Sequence, residues 1–423
     1  MSMLSRIFHF SGYKNIDYKL STRDKTIEIL IEPRSNKAFR CHRCKTHLTT
    51  KRGKHRLKIK ELSVMGMACF VSLWRRKGHC PKCNKARSEQ IEFLAKESPH
   101  LTQRYSWWLG SMCEIAAESR VAEFCGEDKM TVMRVDYARL RAMAKKYKIP
   151  PVKRISVDEV YARKKGKAGE SRDKKFFTVI TDLATRKVVW VTQSRSREAL
   201  DSFFKIIGKE ACKDIEAVAM DQHEPYRASV RQNCPKAAVV WDRFHLMQSF
   251  NEVANDLRKD VFHQCAPKSD IKPYVQGKNR FIFLKRDSKR SQKEKEHLKE
   301  AMSLNWPLMQ MELIKERLYT FFGAKSVHDA WSIWDEIGDF VDELDYHPLK
   351  RWFYRLDKEW DTLKNYFDFR ITSAVSEGIN NVIKSLKRRA FGYRRMDHFQ
   401  LKIMQVCGYL NSRYIKTPGS LIT

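Results

Sequence analysis

The eight residues Arg154-Ile-Ser-Val-Asp-Glu-Val-Tyr161 constrain the fold more than any other stretch. They alternate as a β-strand does, with Ile155 and Val157 on one face and Ser156, Asp158 and Val160 on the other. The preceding Ile149-Pro-Pro151 ends a helical run, so this strand opens a new segment. A carboxylate in mid-strand between apolar neighbours is costly unless a cation or a bound metal compensates it. An Asp on a half-solvated edge strand escapes that cost. Carboxylates on later strands decide between the two.

The chain has 423 residues, enough for several domains. Its 83 lysines and arginines against 50 acidic residues give a net charge of +33. Such a balance calls for a polyanion, nucleic acid first and an anionic membrane surface second. No apolar run approaches the roughly 18 residues of a spanning helix, and the N-terminus lacks a signal-peptide core. A soluble cytoplasmic protein with no membrane partner is therefore expected. Eleven cysteines do not suggest a secreted disulfide scaffold. Ten tryptophans argue for packed globules rather than a disordered basic tail.

Four of the cysteines form two pairs, Cys41-His-Arg-Cys44 and Cys80-Pro-Lys-Cys83. Two such knuckles can close one tetrahedral thiolate site around a structural Zn2+. His42, His47 and His79 lie near enough in sequence to substitute as ligands. Between the knuckles, Leu57–Lys60 and Cys69–Trp74 read as short strands of a zinc ribbon. Arg40, Arg43, Lys45, Lys51, Arg52, Arg75, Arg76 and Lys77 surround them and suit phosphate contact.

Residues 99–150 read as helices. Thr102 is a plausible N-cap, and Tyr105, Trp108, Met112 and Ile115 form a core stripe. A short helix at Arg120–Cys125, a turn at Gly126–Lys129 and a helix from Thr131 to Lys146 make the pattern of a helix-turn-helix. Met133, Tyr137, Leu140 and Ala144 are its expected buried face. Lys129, Arg134, Arg141 and Lys145 are its candidate DNA contacts.

After Arg154–Tyr161 come strands at Lys175–Asp182 and Lys187–Thr192, a helix at Arg197–Ile207, and apolar strands ending in Asp221 and Asp242. A three-strand meander followed by helix, strand, helix, strand is the order of a ribonuclease H-like α/β fold. In that order the first strand is central and the fourth lies beside it, so Asp158 faces Asp221. Two close carboxylates need a cation, and hard Mg2+ prefers their oxygens. Asp182 and Asp242 compete for the second-carboxylate role; Asp182 opens a turn, where Asp is common for local reasons.

Residues 264–370 read as a helical insertion. Its tryptophans (Trp306, Trp331, Trp334, Trp352 and Trp360) suit a core better than base stacking. Its charged run Lys285–Lys299 is a solvated helix face that also suits DNA. Thr372–Lys384 is then a helix with Val375, Ile379, Val382 and Ile383 on its buried side. Glu377 lies on another face, and Lys384 and Arg388 follow as further candidate DNA contacts. The expected segments are thus a zinc-binding domain over 1–98, a helix-turn-helix domain over 99–150, a core over 151–263 and 371–423, and the insertion between the two core parts.

Taken together, Val157-Asp-Glu159, Met220-Asp221, Trp241-Asp-Arg-Phe-His245, Ser376-Glu-Gly-Ile-Asn380 and Arg388-Arg-Ala-Phe-Gly-Tyr393 resemble the insertion-sequence transposases of the ISL-three family. The resemblance covers nearly the whole chain. It implies a DDE triad of Asp158, Asp221 and Glu377 on a ribonuclease H-like core, holding two Mg2+ or Mn2+ ions. Asp242 and His245 are possible accessories. It also implies double-stranded DNA partners, namely terminal repeats and target. A homodimer on synapsis and a bacterial, nucleoid-associated location go with them. A non-catalytic zinc-containing DNA-binding regulator and a structure-specific nuclease on the same fold are the alternatives.

Overall fold

The structure is a computed structural model and describes residues 8–162, 171–371, 374–390 and 392–415. The chain divides into two compact units, Met1–Lys148 with Ser385–Thr423, and Ile149–Lys384.

The first unit opens with a five-stranded sheet: β1 (Tyr13–Ser21), β2 (Thr26–Pro33), β3 (Lys51–Val64), β4 (Met67–Cys80) and β5 (Lys85–Ser88). The path is β1-β2-β4-β3, with β5 also on β4. The two short strands expected between the knuckles are arms of one hairpin, 14 residues each. Met65 and Gly66 turn it, both at positive φ, as a tight two-residue hairpin requires. Its inner face packs Ile59, Val71 and Leu73 against Ile27, Ile29 and Ile31 of β2.

Three helices follow, α1 (Gln103–Met112), α2 (Glu118–Cys125) and α3 (Lys129–Ala144). Thr102 caps α1 by accepting from Tyr105 N at 3.2 Å. Gly126, at φ 61°, ends α2, and Asp128 caps α3 from Thr131 N at 2.9 Å. Leu101, Tyr105, Leu109, Val121, Val132 and Val135 form their shared core. Two expectations need correcting. The first helix stops at Met112, so Ile115 falls outside it and is 75% exposed. The buried face of α3 is Val132, Val135, Asp136, Arg139, Leu140 and Met143, one step round from the face read off hydrophobicity.

The second unit holds a sheet of β6 (Arg154–Tyr161), β7 (Phe176–Asp182), β8 (Lys187–Gln193), β9 (Ala217–Met220) and β10 (Ala238–Trp241). Its order is β10-β9-β6-β7-β8, with β6 central. β7 and β8 pair antiparallel; β9 and β10 run parallel to β6. Helices α4 (Arg197–Lys213), α5 (Glu224–Asn233) and α6 (Arg243–Gln264) connect and follow the strands. The first of these outruns its expected end at Ile207, because Gly208 breaks it at φ 85° and a further turn continues.

Residues 280–369 form α7 (Arg280–Leu284), α8 (Gln292–Leu304), α9 (Trp306–Gly323), α10 (Val327–Leu344), α11 (His347–Asp357), α12 (Trp360–Leu363) and α13 (Asn365–Phe369). Trp334 and Trp352 are core, their indole N–H groups donating to Asp357 and to Ser249. Trp306 and Trp331 are 43% and 45% exposed and are not core. Then comes α14 (Ala374–Arg389), whose buried residues are Ser376, Ile379, Ile383 and Leu386. Val382, expected inside, is 44% exposed.

The chain then completes the first unit with α15 (Met396–Val406). His398 Nε2 and Lys402 Nζ each lie 3.2 Å from Asp136 Oδ2, and Lys402 also donates to the Cys113 carbonyl at 2.8 Å. Glu118 Oε1 is 3.9 Å from both. Among the described residues no helix is long and apolar enough to cross a membrane.

Candidate active site and metal centre

Strand register sets the carboxylates. Val157 of β6 pairs with Met220 of β9, and Met220 pairs with Trp241 of β10. Asp158, Asp221 and Asp242 are the next residues, so they stand at one level across three neighbouring strands. Asp221 and Asp242 lie just past the carboxyl ends of theirs, where parallel sheets carry their sites.

The three Asp side chains have different surroundings. Asp158 Oδ1 accepts from Glu159 N at 2.6 Å and Oδ2 from Asn380 Nδ2 at 2.8 Å. Burial pushes its carboxyl above the usual range and the Asp242 charge adds to this, against those donors and His245. Asp221 is half-exposed and accepts from Gln222 N at 2.7 Å. Asp242 is buried and caps α6, accepting from Phe244 N at 3.0 Å.

His245 lies between two of them, its Nδ1 3.0 Å from Asp242 Oδ2 and 3.8 Å from Asp221 Oδ1. Contact with Asp242 raises the imidazole to about 9, with the Asp221 and Asp158 charges adding and burial opposing. Asp182, the third competitor, is occupied locally: it accepts from Ala184 N, Thr185 N and the Thr185 hydroxyl.

Glu377 sits exposed in the first turn of α14. Its neighbours dock that helix on β6. The Ser376 hydroxyl meets that of Ser156, and Asn380 holds Asp158. Among the described residues the ligand oxygens of Asp158, Asp221 and Glu377 are not gathered into one ion-sized cluster.

Asn380 stands in the sequence within the family-matching stretch, one turn beyond Glu377, but its hold on Asp158 is seen only in the fold. Glu159 likewise has no role assigned from the sequence; burial raises its carboxyl, and it lies 3.5 Å from Arg195 and 3.7 Å from His223. No sequence signal marks that group, because alternation turns Glu159 to the opposite face from Asp158.

The cysteine knuckles do converge. Cys41, Cys44, Cys80 and Cys83 offer sulfurs all within 4.8 Å of one another, with Cys44 3.3 Å from Cys80 and 3.5 Å from Cys83. A tetrahedron of Zn–S bonds of ~2.3 Å needs sulfurs about 3.8 Å apart, so the donor set fits one zinc ion. Hydrogen bonds from Thr46 lower the Cys44 thiol to about 6, while burial pushes Cys80 up to about 12. His42, His47 and His79 are not in the cluster.

Lys129, Arg134 and Arg141 on α3 and Lys145 at its C-cap are all exposed, and so are Lys384 and Arg388 on α14. Arg134 additionally donates to the Glu97 carbonyl at 3.2 Å.

Carboxylates aligned across one sheet, and in the other unit four cysteines whose sulfurs fit a zinc ion, suit a DNA-processing enzyme. The family model of ISL3 DDE transposases, described as "Transposase", matches residues 155–403, and the chain belongs to that family. It is 26% identical over 388 residues to the transposase for insertion sequence element IS1001 of Bordetella parapertussis, covering 90% of this chain and 91% of that one. It is 24% identical over 271 residues to the transposase for IS1557 of Mycobacterium tuberculosis, covering 57% of each.

Proposed function

We propose that the chain binds the terminal repeats of its own insertion sequence and cuts and joins DNA with Asp158, Asp221 and Glu377. The observation that carries this is the docking of α14 on β6: Asn380 grips Asp158 while Glu377 stands one turn away on the same helix. The sheet order, with a central first strand flanked by an antiparallel meander and two parallel strands, supports a ribonuclease H-like core. Residues 264–370 then act as its insertion.

Asp158 fits a divalent cation, since burial and the Asp242 charge both disfavour its ionised form when no cation is present. Asp158, Asp221 and Glu377 would hold Mg2+ or Mn2+, which activates water and steadies the leaving oxygen at a phosphodiester. The chain's own groups do the rest. Asn380 and the Glu159 N–H orient the Asp158 carboxylate. His245 lies against Asp242 and beside Asp221, and orients the carboxylate row at that edge. Phosphate contacts from α3 and the zinc-bearing sheet supply affinity, and base contacts from α3 supply choice. Two ends must be synapsed, so a homodimer is expected on DNA, in the cytoplasm.

Asp158→Asn, Asp221→Asn and Glu377→Gln should each retain end binding and lose Mg2+-dependent cleavage by at least ~100-fold. If Asp221→Asn cleaves normally while Asp242→Asn is inactive, the second carboxylate is Asp242. Equal cutting of a Holliday junction and of cognate ends, with no strand transfer, would turn the reading to a nuclease.

A further inference from the structure

Strand β1 is a free edge of the first sheet. It pairs with β2 alone, and no strand lies on its other side among the described residues. An open edge can take up a strand from another chain unless it is blunted. Across the pair, Tyr18 stands opposite Ile29 and Leu20 opposite Ile27, so all four share the face that packs the core. Ile29 and Ile27 are buried, but Tyr18 and Leu20 are 50% and 52% exposed. The apolar face of the sheet thus runs one strand beyond what covers it. Tyr18 N donates to Asp17 Oδ1 at 2.8 Å. A carboxylate of its own strand thereby stands in for a neighbour on the open side.

The charges on β1 are also without partners. Asp17 and Lys19 flank Tyr18 and are both exposed. Lys19 stands opposite Glu28, but Glu28 is held by Arg56 at 2.7 Å and Lys58 at 3.7 Å. Among the described residues neither Asp17 nor Lys19 has an opposite charge within ion-pair distance. An acid on one side of Tyr18 and a base on the other make the strand complementary to itself turned end for end. Two copies set antiparallel about Tyr18 place Asp17 of each opposite Lys19 of the other. Leu20 then comes level with Ile16, the extra residue of a bulge between Asn15 and Asp17. That bulge bends the strand and keeps the pairing short. A two-fold contact uses the same edge of both copies, so the assembly closes at two.

We infer that β1 is a self-pairing edge, on which a second copy of this chain docks antiparallel about Tyr18 and joins the two sheets into one. The inference names the surface of the homodimer proposed above and rests on that reading.

The test uses the full-length, zinc-loaded protein in sedimentation runs over a range of concentrations, alone and with a duplex carrying the element's end. D17K sets lysine against lysine at both crossing points, and K19D sets aspartate against aspartate. Each should weaken the dimer by about 10-fold or more. An equal mixture of D17K and K19D, and the double variant D17K/K19D alone, should both recover it. Melting temperatures should match the parent, since both side chains are exposed. If the parent dimerises and the single variants do so equally well, the β1 surface is refuted while the homodimer stands. If the single variants weaken the dimer and the mixture does not recover it, self-pairing is refuted. If amide exchange at Tyr18 is slow at every protein concentration, the edge is covered from within its own chain and the inference falls. If the parent stays monomeric with and without DNA, the homodimer reading falls and this inference falls with it.

Discussion

Asp158 takes its orientation from two donors, one on its own strand and one on α14. Residues that orient a metal-holding carboxylate are worth ~10–100-fold in metal affinity or activity. Asn380→Ala should therefore raise the Mg2+ concentration needed for half-maximal cleavage by about that factor, with a loss of stability of only ~1 kcal/mol. A metal titration of cleavage beside a melting curve reads both, and an unchanged titration would remove Asn380 from the site. Asp182 provides the contrast. It accepts three hydrogen bonds inside its own turn. Asp182→Ala should cost ~1–2 kcal/mol of stability and leave the cleavage rate of the folded protein intact.

At the scale of elements, α15 and the three-helix segment share a buried ionic group of Glu118, Asp136, His398 and Lys402. Removing one partner of such a group leaves an uncompensated buried charge, at ~3–5 kcal/mol. Lys402→Met should destabilise the first unit by that amount, and Asp136→Asn with Lys402→Met should recover part of it, as denaturant melts would show. Burial alone would raise the Asp136 carboxyl, but Lys402 and His398 hold it below the usual range. A carboxyl depressed in the folded state contributes stability above its unfolded value of ~3.9, and that stability is lost as pH falls. The difference between parent and Asp136→Asn should hence be full at pH ~6 and shrink on acidification below pH ~4; a pH-independent difference would contradict the pairing. This group also explains a misread helix face. Asp136 and Arg139 look like surface residues in sequence but are buried, because their partners come from elsewhere in the chain. The β6–β10 strands were readable because β-branched residues alternate or cluster there and turns separate them. The length of β3–β4 was not, because lysines and arginines on its outer face hide the alternation of its inner one.

For the whole molecule, the four-cysteine cluster is the most readable feature, since four thiols at two fixed spacings admit few other arrangements. Purified protein should carry one zinc per chain. Its removal by a strong chelator should speed amide exchange around Cys41–Cys44 and Cys80–Cys83 while β6–β10 stay protected; uniform exchange throughout would mean the ion supports more than its own sheet. The level of Asp158 and Asp221 was readable from strand order alone. The grip of Asn380 was not, since it joins positions over two hundred residues apart. Nor was the return of residues 385–423 to the unit built by 1–148, because nothing in local pattern marks so distant a partner. That return orders events on the ribosome. At ~5–20 residues per second, the amino-terminal segment 1–148 waits tens of seconds for the helix that neutralises its buried acids. A half-made polypeptide thus holds Asp136 and Glu118 without His398 and Lys402 until residues 396–406 have been made.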